Sequence, residues 1–222
     1  MKPQLLGIVC LFLSMNGVIN AQATNSVRIR LLVGEATCIK STENVGGLNN
    51  RDEVYLLVAG ATPGGKTDKK LPGRDDYYEA KSGTKLAWTN QDQRPAIHPI
   101  IWEGDLRPSE SATFVIHVGE QDGSQLAEIM KWAADAADKL FPEIGGAAKQ
   151  IVAKIPFPQG DEAIGRIIAK VTNKNGEIVA EYHEALNATK QGRRGRNLES
   201  FHFGGDSGCQ YNFSFWAVHA RR

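Results

Sequence analysis

From Tyr211 to Phe215 aromatic and polar side chains alternate at every step. Tyr211, Phe213, Phe215 and Ala217 fall on one side, and Asn212, Ser214, Trp216 and Val218 on the other. Only an extended strand sends successive side chains to opposite faces, so this period of two demands a sheet with one buried face. Val27–Val33 repeats the pattern, with Val27, Ile29, Leu31 and Val33 opposed to Arg28 and Arg30. Ala112–Val118 does so again through Phe114, Ile116 and Val118. Glu53–Ala59 is apolar on both faces, which predicts a central strand covered from two sides. The Asn-Gly pair at 175–176 predicts a hairpin joining Ile164–Val171 to Glu177–His183. With weaker strands at Thr84–Trp88, Ile97–Trp102 and Phe201–Phe203, the sequence predicts about eight strands.

The period changes once. After the potential cap Ser124, Leu126, Ile129, Met130, Ala133, Ala137 and Leu140 recur at helical spacing. Ile144, Ala148, Ile151, Val152 and Ile155 continue it up to Pro156, across a break at Gly145-Gly146. Thr62–Asp76 and the basic Lys190–Arg196 read as exposed loops from their glycine, proline and charge content. The expected fold is mainly β: an antiparallel sandwich with a helical pair inserted at about 124–155.

Lys2, the apolar run Leu5–Leu13 and Ala21-Gln22-Ala23 have the order of a cleavable export signal, too short to span a bilayer. This predicts a leader over 1–23 and a secreted or periplasmic single domain over 24–222. With Lys2 gone, the 26 basic residues fall to 25, level with the 25 acidic ones, so no global charge favours nucleic acid. No later stretch is apolar for long enough to cross a membrane as a helix. Cys38 and Cys209 remain, and in an exported chain such a pair is expected to form a disulfide.

Gly60-Ala-Thr-Pro-Gly-Gly65-Lys66-Thr67 fits the phosphate-loop pattern of nucleotide-binding enzymes letter by letter. That loop works by leading into a helix whose N-terminal amides cradle phosphate. Pro72 and Gly73 would stop such a helix within two turns of Lys66. Gly205-Asp-Ser-Gly208 is similar to the nucleophile segment of trypsin-like proteases, but no companion histidine motif accompanies it. The five histidines lie far apart, without metal-ligand spacing.

Val45-Gly-Gly-Leu-Asn-Asn-Arg-Asp52-Glu-Val-Tyr-Leu-Leu-Val58 resembles the C2-domain segment G-L-S-D-P-Y-V-K-V. Phe114–Asp122 is similar to the strand leading into that family's D-x-D loop, and Asp161-Glu-Ala-Ile-Gly165 to its closing N-D-F-I-G. The resemblance implies a calcium-binding loop end made of Asp52, Glu120, Asp122, Asp161 and Glu162, with anionic lipid head groups or a surface protein as partner. The sequence departs from the family pattern at four points: the first-loop aspartate has no counterpart, Glu120 replaces one of the paired aspartates, Val54 replaces the proline, and the third loop carries the helical pair. The sequence therefore predicts an exported, non-enzymatic binding module, with Ca2+ as the implied ligand. The alternatives are a calcium-free structural or adhesion sandwich that uses the helical insert as its interface, and a phosphate-loop enzyme.

Overall fold

A computed structural model describes residues 26–42, 51–73, 76–86, 98–121, 131, 133, 135–136, 155 and 161–220. Among these residues eleven strands run β1 (Val27–Lys40), β2 (Asp52–Thr62), β3 (Gly65–Leu71), β4 (Tyr78–Ala80), β5 (Ile100–Leu106), β6 (Ser111–Glu120), β7 (Glu162–Lys174), β8 (Glu177–Leu186), β9 (Ala188–Gly195), β10 (Leu198–Gly204) and β11 (Gln210–His219). They form two antiparallel sheets, one in the order β5-β1-β11-β10-β9 and one in the order β3-β2-β6-β7-β8, with β4 also paired to β2.

The alternation seen in the sequence sets which side chains meet. Ile29, Leu31 and Val33 of β1 and Phe213 and Phe215 of β11 face inward, against Val54, Leu56 and Val58 of β2 and Phe114, Ile116 and Val118 of β6. Four phenylalanines, Phe201, Phe203, Phe213 and Phe215, pack ring against ring at 5.6–6.3 Å within this layer. β2 lies between β3 and β6, and its second apolar face is buried too. Tyr55, Leu57 and Ala59 pack with Val115 and Ile168 beneath Ala133, Ala136 and Ile155. Residues 131, 133, 135 and 136 are helical, with 133 and 136 buried and 131 and 135 exposed. The rest of the expected helical pair lies outside the described residues.

Several expectations need correction. Among the described residues the strand count is eleven rather than about eight: β3 and β9 fall on segments assigned to loops, and β4 on a stretch assigned no strand. The Lys- and Gly-rich chemistry of Gly65–Leu71 and of Ala188–Gly195 hides strands that sit at sheet edges, where charges and glycine are tolerated. The weak strand at 84–88 is reduced to a single bridge, Thr37 to Lys85, within its described part.

The phosphate-loop pattern falls on a β-hairpin. Thr62 pairs with Gly65 and Gly60 with Thr67, so the backbone of the motif belongs to the ladder. Gly60 is required by packing, since a Cβ there would lie 2.4 Å from the Phe114 ring. The Asn175-Gly176 turn forms as the sequence predicts. Both residues have positive φ, 56° and 93°, and the Gly176 amide donates to Asn173 Oδ1 at 2.7 Å.

Candidate functional site

Asp52 opens β2, Glu120 closes β6 and Glu162 opens β7. The register pairs Val54 with Glu120 and Glu120 with Glu162. Asp52 is two residues from Val54 and so shares its face. Three carboxylates therefore line the inner face of one sheet at one end. The facing sheet answers with Cys38, paired in register with Tyr211, and with Cys209 two residues before Tyr211.

This end of the core is polar, buried and tightly bonded. Asp52 is 1% exposed. One of its oxygens accepts the Tyr211 hydroxyl in a short hydrogen bond. The other accepts the Thr42 hydroxyl at 2.7 Å and the Thr42 amide at 3.1 Å. The same Thr42 hydroxyl lies 3.1 Å from both Glu120 oxygens, which places two carboxylates around one side chain. Glu162 accepts from the Ser207 amide at 2.9 Å and from the Cys209 thiol at 3.3 Å. Ser207 thus belongs to the turn that anchors Glu162, and the Gly205–Gly208 segment is the link from β10 to β11.

Burial is the main force on the ionisable groups. It pushes the Cys38 thiol up to about 11, and the Asp52 and Glu120 charges add to the rise, while a Tyr211 hydrogen bond opposes it. The Cys209 thiol is raised further, by burial and then by Glu162. The Tyr211 phenol is raised by burial and by its bond to Asp52. Both thiols are therefore protonated near neutral pH, the form that is poor as a nucleophile or soft-metal ligand.

The expected disulfide is absent: Cys38 and Cys209 are both free and buried. The geometry gives a reason. Cys38 is held by Tyr211 across the β1–β11 pair, whereas the Cys209 thiol turns to Glu162 on the other sheet.

The five acids implied by the C2 resemblance do not all gather. Asp52, Glu120 and Glu162 share the inner end. Asp161 bonds the Tyr55 hydroxyl at 2.7 Å, and Tyr55 belongs to the outer-face cluster of the same sheet. Asp122 lies outside the described residues. Calcium takes six to eight oxygens, and among the described residues no group of three or more His, Cys, Asp or Glu side chains is placed to hold a metal. The inner acids do not fit a calcium shell, because hydroxyl, thiol and amide donors already surround them. Sequence reasoning missed Thr42 and Tyr211. Tyr211 carried a signal, since a phenol at an inward position requires a buried acceptor.

A second buried polar group lies on the outer face of the β6–β7 pair, beside Ile155. His117 and Arg166 face each other across β6 and β7, and both are fully buried. Arg166 donates to the Ile155 carbonyl at 3.0 Å, and burial lowers it to about 10. Burial, and then the charge of Arg166, holds His117 well below its ordinary value. Arg166 thus ties Ile155 to the sheet through its backbone carbonyl.

No protein-family model matches the chain, and no curated protein matches it either. No helix among the described residues is long and apolar enough to cross a membrane.

Proposed function

We propose that this chain is an exported, non-enzymatic binding module on a C2-like sandwich, and that its acidic end is a structural lock that works without calcium. The observation that carries this reading is Asp52. The residue that the C2 resemblance makes a calcium ligand is buried, with both oxygens bonded to Tyr211 and Thr42. A cation entering there would have to displace donors that already compensate the carboxylate's burial. Protonated thiols also make Cys38 and Cys209 poor nucleophiles. Export is supported by the leader-like residues 1–23, and a surface partner by the C2 resemblance.

Thermal unfolding in millimolar calcium and in chelator tests it. A ligand that binds only the folded state must raise the midpoint, so the expected curves superimpose. A calcium-dependent rise that disappears in Asp52→Asn would restore the metal reading and refute the lock.

A further inference from the structure

The outer face of the β5-β1-β11-β10-β9 sheet departs from the usual polar surface of a one-sided antiparallel sheet. Leu32 pairs with Ile100 on one side and Trp216 on the other, and Trp216 pairs with Leu198. These four side chains form an apolar row across four strands, with Trp216 42% exposed. The next row toward the acidic end is made of small residues. Gly34 packs against Ser214, where a Cβ would lie 2.4 Å from the Ser214 hydroxyl. Ser214 pairs with Ser200, and Ser200 with Gly192. Ser214 seals the bulge of β1 by accepting from the Glu35 amide at 2.6 Å and donating to the Glu35 carbonyl at 3.1 Å. Beyond it stands a third row, Thr37, Asn212, His202 and Thr189, in which a His202 ring nitrogen lies 3.0 Å from Asn212 Oδ1. The face is thus a trough with a floor of glycine and serine, one aromatic wall and one wall of amide, imidazole and hydroxyl groups.

No position in the three rows is Asp, Glu, Lys or Arg. Among the described side chains around them, Arg28 and Arg30 pair with Glu103 at 2.7 and 2.5 Å, and Lys85 with Glu35 at 3.1 Å. Three rows on four strands cover roughly 400 Å² from strand and residue spacings, about half of the ~800 Å² per partner of a standard protein interface. The occupant that suits the trough is uncharged, narrow, apolar on one face and rich in hydroxyls along its edge. We propose that this trough binds a neutral oligosaccharide, a sugar ring lying with its C–H face on Trp216 and its hydroxyls toward Asn212 and His202. The inference deepens the binding-module reading and rests on it.

Calorimetric titration of the purified protein with neutral hexasaccharides of glucose, mannose, xylose and galactose tests the site, with a polyuronate as the acidic comparison. At least one neutral series is expected to bind with Kd between micromolar and roughly millimolar. Trp216→Ala, an exposed change, should weaken it roughly tenfold or more, as loss of a central aromatic anchor does. Ser200→Leu should do the same by filling the floor, and the melting curve of each variant shows whether it remains folded. No heat from any neutral sugar, or binding indifferent to both variants, overturns the proposal. Preference for the polyuronate, or self-association that Trp216→Ala abolishes, also overturns it while leaving the binding-module reading intact. Shortened saccharide recovered after the titration would refute the non-enzymatic reading itself.

Discussion

Replacing Tyr211 by phenylalanine tests the lock with the smallest possible change. Phenylalanine keeps the buried ring and its packing on Phe213, whose centroid lies 6.2 Å away. Only the hydroxyl is lost, and with it the bond to Asp52 and the weaker contact with the Cys38 thiol. A hydrogen bond to a charged group contributes about 1.5–3 kcal/mol. Asp52 keeps the Thr42 hydroxyl and amide, so it is not stripped of donors and the loss should fall near ~2 kcal/mol. For a domain of this size that lowers Tm by about 4–8 °C. Asp52→Asn alone should also destabilise, because its amide places a donor where Tyr211 and Thr42 already donate. The double variant should then be less destabilised than the two single losses added, by about 1 kcal/mol or more, as for residues in direct contact. Urea unfolding of the four proteins gives all the terms. A Tyr211→Phe loss within ~0.5 kcal/mol, typical of surface changes, would refute the reasoning, as would strict additivity.

Acid should expose the second buried group. His117 has a folded value depressed below its unfolded one by burial and then by the charge of Arg166, so the unfolded chain binds more protons and stability is lost as pH falls below about 6.5. Denaturant melts against pH should show this component in the parent and not in His117→Gln; a constant difference between the two across that window would refute it. Thiol labelling should find Cys38 and Cys209 unreactive in the native protein and both reactive in denaturant without reductant. If denaturation alone releases no thiol and reductant is needed, the pair is a disulfide and the geometry of the acidic end is wrong.

Local chemistry made much of the sandwich legible. The inward faces of β1, β6 and β11 follow from their alternation, and the buried second face of β2 from its lack of alternation. The turn at Asn175-Gly176 follows from a residue pair that tolerates positive φ. Alternation also assigned Trp216 to the face opposite Phe213 and Phe215, the solvent side of the sheet. Even the separation of Asp161 from Glu162 was within reach, because adjacent strand residues point to opposite faces.

Edge strands escaped the sequence reading for a physical reason. An edge needs no apolar face to hold its place and carries lysine, arginine and glycine freely, so β3 and β9 have the composition of loops. The exact phosphate-loop spelling was equally uninformative: a glycine that admits a phenylalanine ring and a glycine that turns a hairpin use the same letters as a phosphate cradle.

What the sequence by itself determined is therefore the period of each segment, and with it a mainly β chain with apolar faces to bury. What only the tertiary structure decided is which faces meet. Thr42, Asp52, Glu120, Tyr211 and Cys209 come together because two sheets pack face to face over 159 residues of separation between Asp52 and Tyr211. Such pairing depends on register and sheet order, and neither is written in local periodicity. The same holds for the trough beside Trp216, whose rows exist only once β5, β1, β11, β10 and β9 lie side by side.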